Sequence, residues 1–113
     1  MTKINKKAAL QFVKGVNEID QPEIRLFRNN DGRQGKAIYK FNNPKSITIE
    51  NFKSIQRMYL IDSEGELSTK KIDISISEDQ VREVQTAYNW TSEDEFERFI
   101  RFATRYSNSL TNN

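Results

Sequence analysis

Asp62, Glu64 and Glu66 around Gly65 place three carboxylates on one short turn, and hard cations such as calcium require several such oxygens. A calcium loop of the helix–loop–helix kind sets its glycine after three alternating ligands and closes on a distant bidentate glutamate. Here β-prone runs flank the acids, so the segment reads better as an acidic, solvent-facing turn, with metal binding the lesser alternative. The glycines of Asn-Asp-Gly-Arg-Gln-Gly at residues 30–35 suggest a phosphate cradle, but that chemistry needs a helix immediately afterwards, and Lys-Ala-Ile-Tyr-Lys-Phe follows instead. The remaining candidates are cationic. Arg25, Arg28, Lys36 and Lys40 lie within one hairpin pattern, and Arg98, Arg101 and Arg105 share one face of a helical pattern. These seven are the candidate partner-binding residues, chosen for charge alone.

Composition removes most other chemistry. The chain has no histidine and no cysteine, which excludes imidazole acid–base catalysis, thiol chemistry, disulfides and the usual zinc, copper and haem ligands. An enzyme would have to work with carboxylates alone, and no cofactor is expected. The 113 residues can bury one core, and twelve aromatics supply bulk to a composition that is 35% hydrophobic and 30% charged. Residues 1–45 carry ten Lys/Arg against four Asp/Glu, and residues 46–113 carry eight against twelve, so the two halves are oppositely charged. A basic half can face an acidic protein surface, anionic lipid or nucleic acid, and charge does not choose among them. No apolar run is long enough to span a bilayer, and residues 1–7 lack the apolar core of a secretory signal, so a soluble intracellular chain is expected.

Residues 92–110 form the clearest element, an amphipathic helix. Ser92 and Glu95 make a capping box, and Glu93, Asp94 and Glu95 complement the positive end of the helix dipole. Phe96, Phe99, Ile100, Ala103, Tyr106 and Leu110 form a stripe that needs a sheet beneath it. On the opposite face, Asp94 with Arg98 and Glu97 with Arg101 have the favourable acid-first spacing, which predicts a solvated, salt-bridged surface.

Upstream of this helix the patterns are β-like. Residues 8–13 alternate with Leu10 and Phe12 on one face, Gly15 ends the run, and residues 16–22 read as a loop. Residues 24–29 and 36–42 make a hairpin across Asp31-Gly32, with Ala37, Tyr39 and Phe41 on one face and Lys36, Ile38 and Lys40 on the other. Residues 45–54 read as an irregular connection, and residues 56–62 with 67–76 read as a second hairpin. Residues 77–90 are divided. Ser77 with Gln80 resembles a capping box, and Val81, Val84 and Tyr88 have helical spacing, yet Val84, Thr86, Tyr88 and Trp90 alternate as in a strand. The expected architecture is α+β: an antiparallel sheet of about five strands packed against a C-terminal amphipathic helix. Residues 1–7 form a loose basic tail, 8–110 a single domain and 111–113 a loose end.

Several blocks, in order and at compatible spacing, resemble the Psb28 family, the photosystem II reaction-centre W proteins of cyanobacteria and chloroplasts. They are Gln11 to Val16, Pro22 to Leu26, Asp31-Gly32 with Gly35-Lys36-Ala37, Phe41 to Pro44, Met58 to Asp62 with Glu64 to Leu67, and Phe96 to Phe99 continuing through Arg101-Phe102 and Arg105-Tyr106. The resemblance implies a strand over residues 81–90, against the local helix signal. It also implies a non-catalytic assembly factor, peripheral on the cytoplasmic or stromal side of the thylakoid membrane and partly soluble. Such a factor binds immature photosystem II transiently, near the reaction-centre subunits and the inner chlorophyll antenna protein, with the antenna protein's C-terminal tail adding a strand to the sheet. A monomer is favoured. The chain departs from the family at residues 77–81, where an Asn-Gly turn and a proline are usual, and after Tyr106, as a divergent second copy would. The rival reading is a small basic nucleic-acid-binding module with Tyr39 and Phe41 as a stacking platform beside Lys36 and Lys40. Alternation counts against it, since it puts the aromatics and lysines on opposite faces.

Overall fold

The computed structural model describes residues 8–111; the expected basic tail, residues 1–7, and residues 112–113 of the expected loose end lie outside them. Among the described residues eight strands form two four-stranded antiparallel sheets, followed by one long helix. The first sheet has the order β2-β1-β5-β6, from β1 (Ala8–Val13), β2 (Val16–Asn17), β5 (Met58–Asp62) and β6 (Gly65–Thr69). The second has the order β3-β4-β8-β7, from β3 (Glu23–Arg28), β4 (Gly35–Phe41), β7 (Ile72–Ser77) and β8 (Gln80–Trp90). Helix α1 runs from Glu93 to Thr111. The α+β class is as expected, but the strands make two sheets of four instead of one of about five. The difference arises at residues 67–76. That run, expected as one strand, is two: it leaves the first sheet after Thr69 and joins the second at Ile72. The Thr69 hydroxyl donates to the Ala87 carbonyl at 2.6 Å and the Ala87 amide donates to the Lys71 carbonyl, so β8 holds the crossing from both sides.

Both sheets turn alternate side chains into one core. Ala8, Leu10 and Phe12 from β1, Met58 and Leu60 from β5, Ala37, Tyr39 and Phe41 from β4, and Val84 and Trp90 from β8 are all buried. Phe12 meets Phe41 edge-on at 5.0 Å between the sheets. From α1 come Phe99, Phe102 and Tyr106. Phe99 and Tyr106 belong to the expected stripe, whereas fully buried Phe102 was outside it. Trp90 stacks on Phe99 at 5.2 Å and lies in register with Gly35. A Cβ at Gly35 would meet the Phe27 carbonyl and lie 2.7 Å from the Trp90 ring, so the close approach of that ring requires glycine there.

The connections are held by side chains as well as by backbone. Glu18 is buried, and its carboxylate accepts hydrogen bonds from the amides of Asp20, Lys45 and Ser46 and from the Ser46 hydroxyl. One acid thus ties the segment before β3 to the segment after β4. The Glu95 amide donates to the Ser92 hydroxyl at 3.1 Å, as a helix cap should. The reciprocal arm lands one residue earlier than in the standard box, with the Glu95 carboxylate accepting from the Thr91 amide at 2.7 Å.

Residues 80–90 are the strand that the resemblance implies, not the helix that local signals favour. Ser77 and Gln80 are cross-strand partners closing a two-residue turn in which Glu78 has φ 56° and Asp79 φ 60°. Two positive φ values in succession mark a type I′ turn, which asparagine and glycine occupy with less strain than glutamate and aspartate. Replacing the pair with Asn-Gly (E78N/D79G) relieves roughly 1 kcal/mol per strained residue, offset in part by losing the exposed Glu78–Arg82 ion pair. The expected net gain is about 1 kcal/mol, read as a melting temperature higher by about 5 °C in thermal unfolding. An unchanged or lower melting temperature would refute the turn strain.

Candidate functional site

The seven predicted cations fall into two groups with different surroundings. On α1, Arg98, Arg101 and Arg105 recur beside the aromatic stripe, so they line the border where the helix meets β5. In β5 the inward alternation of Met58 and Leu60 continues to Asp62, whose side chain is 0% exposed. Arg98 donates two hydrogen bonds to Asp62, at 2.9 and 2.7 Å, and Arg105 a third at 2.9 Å. Arg101 pairs with both oxygens of Glu64, at 2.7 and 3.0 Å, and Arg105 reaches the same acid at 2.7 Å. The arginines therefore turn to the β5–β6 turn in place of Asp94 and Glu97, the partners that helix spacing predicts. Spacing of three and four identified the ridge, but its partners lie more than thirty residues away and no local pattern reveals them.

The acids of the turn are paired with cations. Asp62 and Glu64 face guanidinium groups and Glu66 pairs with Lys14 at 2.9 Å. Among the described residues no group of three or more potential ligands could hold a metal ion. The turn is acidic, as expected, and Glu64 and Glu66 are exposed, but Asp62 is buried and both Asp62 and Glu64 are engaged by the helix. Burial pushes the Asp62 carboxyl up, yet the hydrogen bonds from Arg98 and Arg105 outweigh it and hold the group below its ordinary value. Hydrogen bonds from Arg101 and Arg105 bring Glu64 down to about 2.

The hairpin cations sit on the second sheet. Register places Lys36, Ile38 and Lys40 opposite Phe27, Arg25 and Glu23, all on the face turned away from the core. Lys40 lies 3.9 Å from Glu83 and Arg25 3.9 Å from Glu23, loose and exposed pairs of little energetic weight. Arg28 is separate from these. It faces the core side, with its guanidinium 3.8 Å from the centre of the Phe96 ring, and donates to the Gly32 carbonyl at 2.8 Å. Tyr39 and Phe41 are fully buried, and burial pushes the Tyr39 hydroxyl far above its ordinary value, so the stacking platform of the nucleic-acid reading is not on the surface.

Sequence reasoning missed the edge of this sheet. Among the described residues β3 pairs only with β4, and all six of its residues are exposed, including Ile24, Leu26 and Phe27. The alternation that revealed the strand carried no sign that its far side is uncovered. No helix among the described residues is long and apolar enough to cross a membrane.

These features define an α+β domain with an arginine-clamped helix and one uncovered, apolar-lined sheet edge. The family model described as Psb28 protein matches residues 10–111, and the chain belongs to the Psb28 family. A relative named "Photosystem II reaction center Psb28 protein" from Prochlorococcus marinus (strain NATL2A) is 72% identical over the full length of both chains. Relatives of the same name from Synechococcus sp. (strain CC9605) and Prochlorococcus marinus (strain MIT 9211) are 42% and 41% identical. These alignments cover 91% and 94% of this chain and 81% and 89% of the relatives.

Asp62→Asn keeps the shape and removes the charge that Arg98 and Arg105 share, so it should cost about 1.5–3 kcal/mol, the range for hydrogen bonds to charged groups. Because both carboxyl groups titrate lower in the folded chain than unfolded, their stabilisation is complete above the ordinary carboxylate range. It is lost as pH falls from about 4.5 towards about 2. Denaturant unfolding across that window should show a steeper acid loss in the parent chain than in Asp62→Asn; parallel curves would refute the clamp's role.

Proposed function

We propose that this chain is a non-catalytic photosystem II assembly factor, binding transiently to the cytoplasmic or stromal face of the immature complex as a peripheral, partly soluble protein. Family membership supports the association with photosystem II, and the exposed edge strand β3 is the observation that carries the mode of contact. In this reading the C-terminal tail of the inner chlorophyll antenna protein pairs with β3 as an added strand, near the reaction-centre subunits. Backbone hydrogen bonds supply affinity, and alternate side-chain positions supply selection. Two of the other edges suit this less well, since β2 has two residues and β6 carries no exposed large apolar side chain, while β7 offers Ile76 alone against the three exposed apolar residues of β3. Arg25, Lys36 and Lys40 flank the edge on the outer face and would draw an acidic partner, whereas Arg98 and Arg105 are engaged within the fold.

Amide NMR with a synthetic antenna-protein tail should show shifts running along β3 and no shifts along β2 or β6. Charge reversal of Arg25 and Lys40 together should weaken binding to isolated immature complexes about tenfold at low salt while leaving the melting temperature within a few degrees. Unshifted β3 amides together with undiminished binding of the reversed variant would refute the proposal.

A further inference from the structure

The inner face of β3 has a defined order of chemistry. Ile24, Leu26 and Arg28 lie in register with Tyr39, Ala37 and Gly35, so all three point to the side on which the core lies. The core nevertheless stops short of them: Tyr39 and Ala37 are 0% exposed, while Ile24 and Leu26 are 41% and 50% exposed. An apolar row therefore continues one strand beyond the point where it is covered.

Arg28 ends that row and differs from the other arginines near the core side. Arg98, Arg101 and Arg105 all have carboxylates, whereas no carboxylate among the described residues pairs with Arg28. Its guanidinium is held all the same, by the Phe96 face on one side and by the Gly32 carbonyl on another. Gly32, at φ 75°, keeps that position open: a Cβ there would sit 2.9 Å from the Arg28 guanidinium nitrogen. A cation fixed in orientation but without an anion is set to accept one, because little side-chain freedom is lost when the partner arrives.

Resting on the reading of β3 as the docking edge, we propose that this face selects its partner strand by a three-position pattern. Two apolar residues at alternate positions extend the Ile24–Leu26 row, and a carboxylate two positions further on, on the same face, pairs with Arg28. The partner is therefore an extended, acidic–apolar peptide whose register is set by the charge and whose face is set by the apolar pair. A shift of one residue would turn both apolar groups to the outer face and leave Arg28 unpaired.

The test uses the full chain and three synthetic peptides built on a core that reads alike in both directions, Glu-Thr-Val-Thr-Val-Thr-Glu, with binding measured by fluorescence and located by β3 amide shifts. The second peptide carries Gln for both Glu residues, and the third has the same composition with the two valines adjacent. The parent chain should bind the first peptide at least tenfold more tightly than either other. Arg28→Gln should abolish the Glu-over-Gln preference while keeping the preference for alternating valines, and Arg28→Lys should keep part of the charge preference. The three-peptide comparison on the parent chain decides the matter even if Arg28→Gln fails to fold. Equal binding of all three with shifted β3 amides would overturn the selection pattern and leave strand addition standing. A Glu preference that survives Arg28→Gln in a folded variant would overturn the role of Arg28. Unshifted β3 amides with every peptide, while the antenna-protein tail still shifts them, would overturn the pattern alone; unshifted amides with the tail as well would overturn the docking edge itself.

Discussion

A carboxylate without solvent is stable only when cations and hydrogen-bond donors surround it, and Asp62 meets that condition with one amide of its own turn, that of Glu64, and two cations that both come from α1. Its place at the end of β5 follows from strand alternation, which turns it inward after Met58 and Leu60. Arg98 and Arg105 must then lie above it, and this fixes both the height and the rotation of the helix on the first sheet. With the rotation set, Phe99, Phe102 and Tyr106 point into the space between the sheets and Phe96 reaches Trp90 and Arg28. A ridge that reads as surface decoration is thus the means by which a helix is aligned with a core it only partly covers. The charged contact gives orientation, and the aromatic contacts give most of the burial.

The parts of the fold that sequence made legible depend on periodicity and on local chemistry. Leu10 with Phe12, and Ala37 with Tyr39 and Phe41, are inward because alternation is a property of each strand by itself. The start of α1 was legible because Ser92 caps it. The unread parts depend on distance, on degeneracy or on a weak local mark. Ile72, Ile74 and Ile76 alternate strictly, but the apolar parity shifts between Leu67 and Ile72 across four polar residues, Ser68 to Lys71, and that faint break is the passage from one sheet to the other. Ser77 and Gln80 show the degeneracy plainly: a capping box and the closing pair of a two-residue hairpin both separate their members by three positions. Without asparagine or glycine between them the hairpin lost its usual sign.

The candidate site was legible to the same extent. Arg25, Arg28, Lys36 and Lys40 lie in the hairpin that borders the open edge, so charge pointed to the same part of the fold as that edge. Charge could not separate Arg28, which faces the core side over Phe96, from Arg25, Lys36 and Lys40 on the outer face. Nor could it show that Arg98, Arg101 and Arg105 are already matched by Asp62 and Glu64. Distinguishing an engaged arginine from an available one needs the tertiary partner, and here the two kinds occur in one small protein.

Glu18 bears on how the edge would meet another molecule under the proposed strand addition. By gathering the amides of Asp20, Lys45 and Ser46 it fastens the approach to β3 to the departure from β4, so the outermost strand leaves a braced corner instead of a slack loop. A strand braced in this way gives up little conformational entropy when a neighbour settles beside it, and the disorder lost in association is almost entirely that of the arriving chain. Flexibility in the pair would then belong to the guest, and the host would act as a ready-made template.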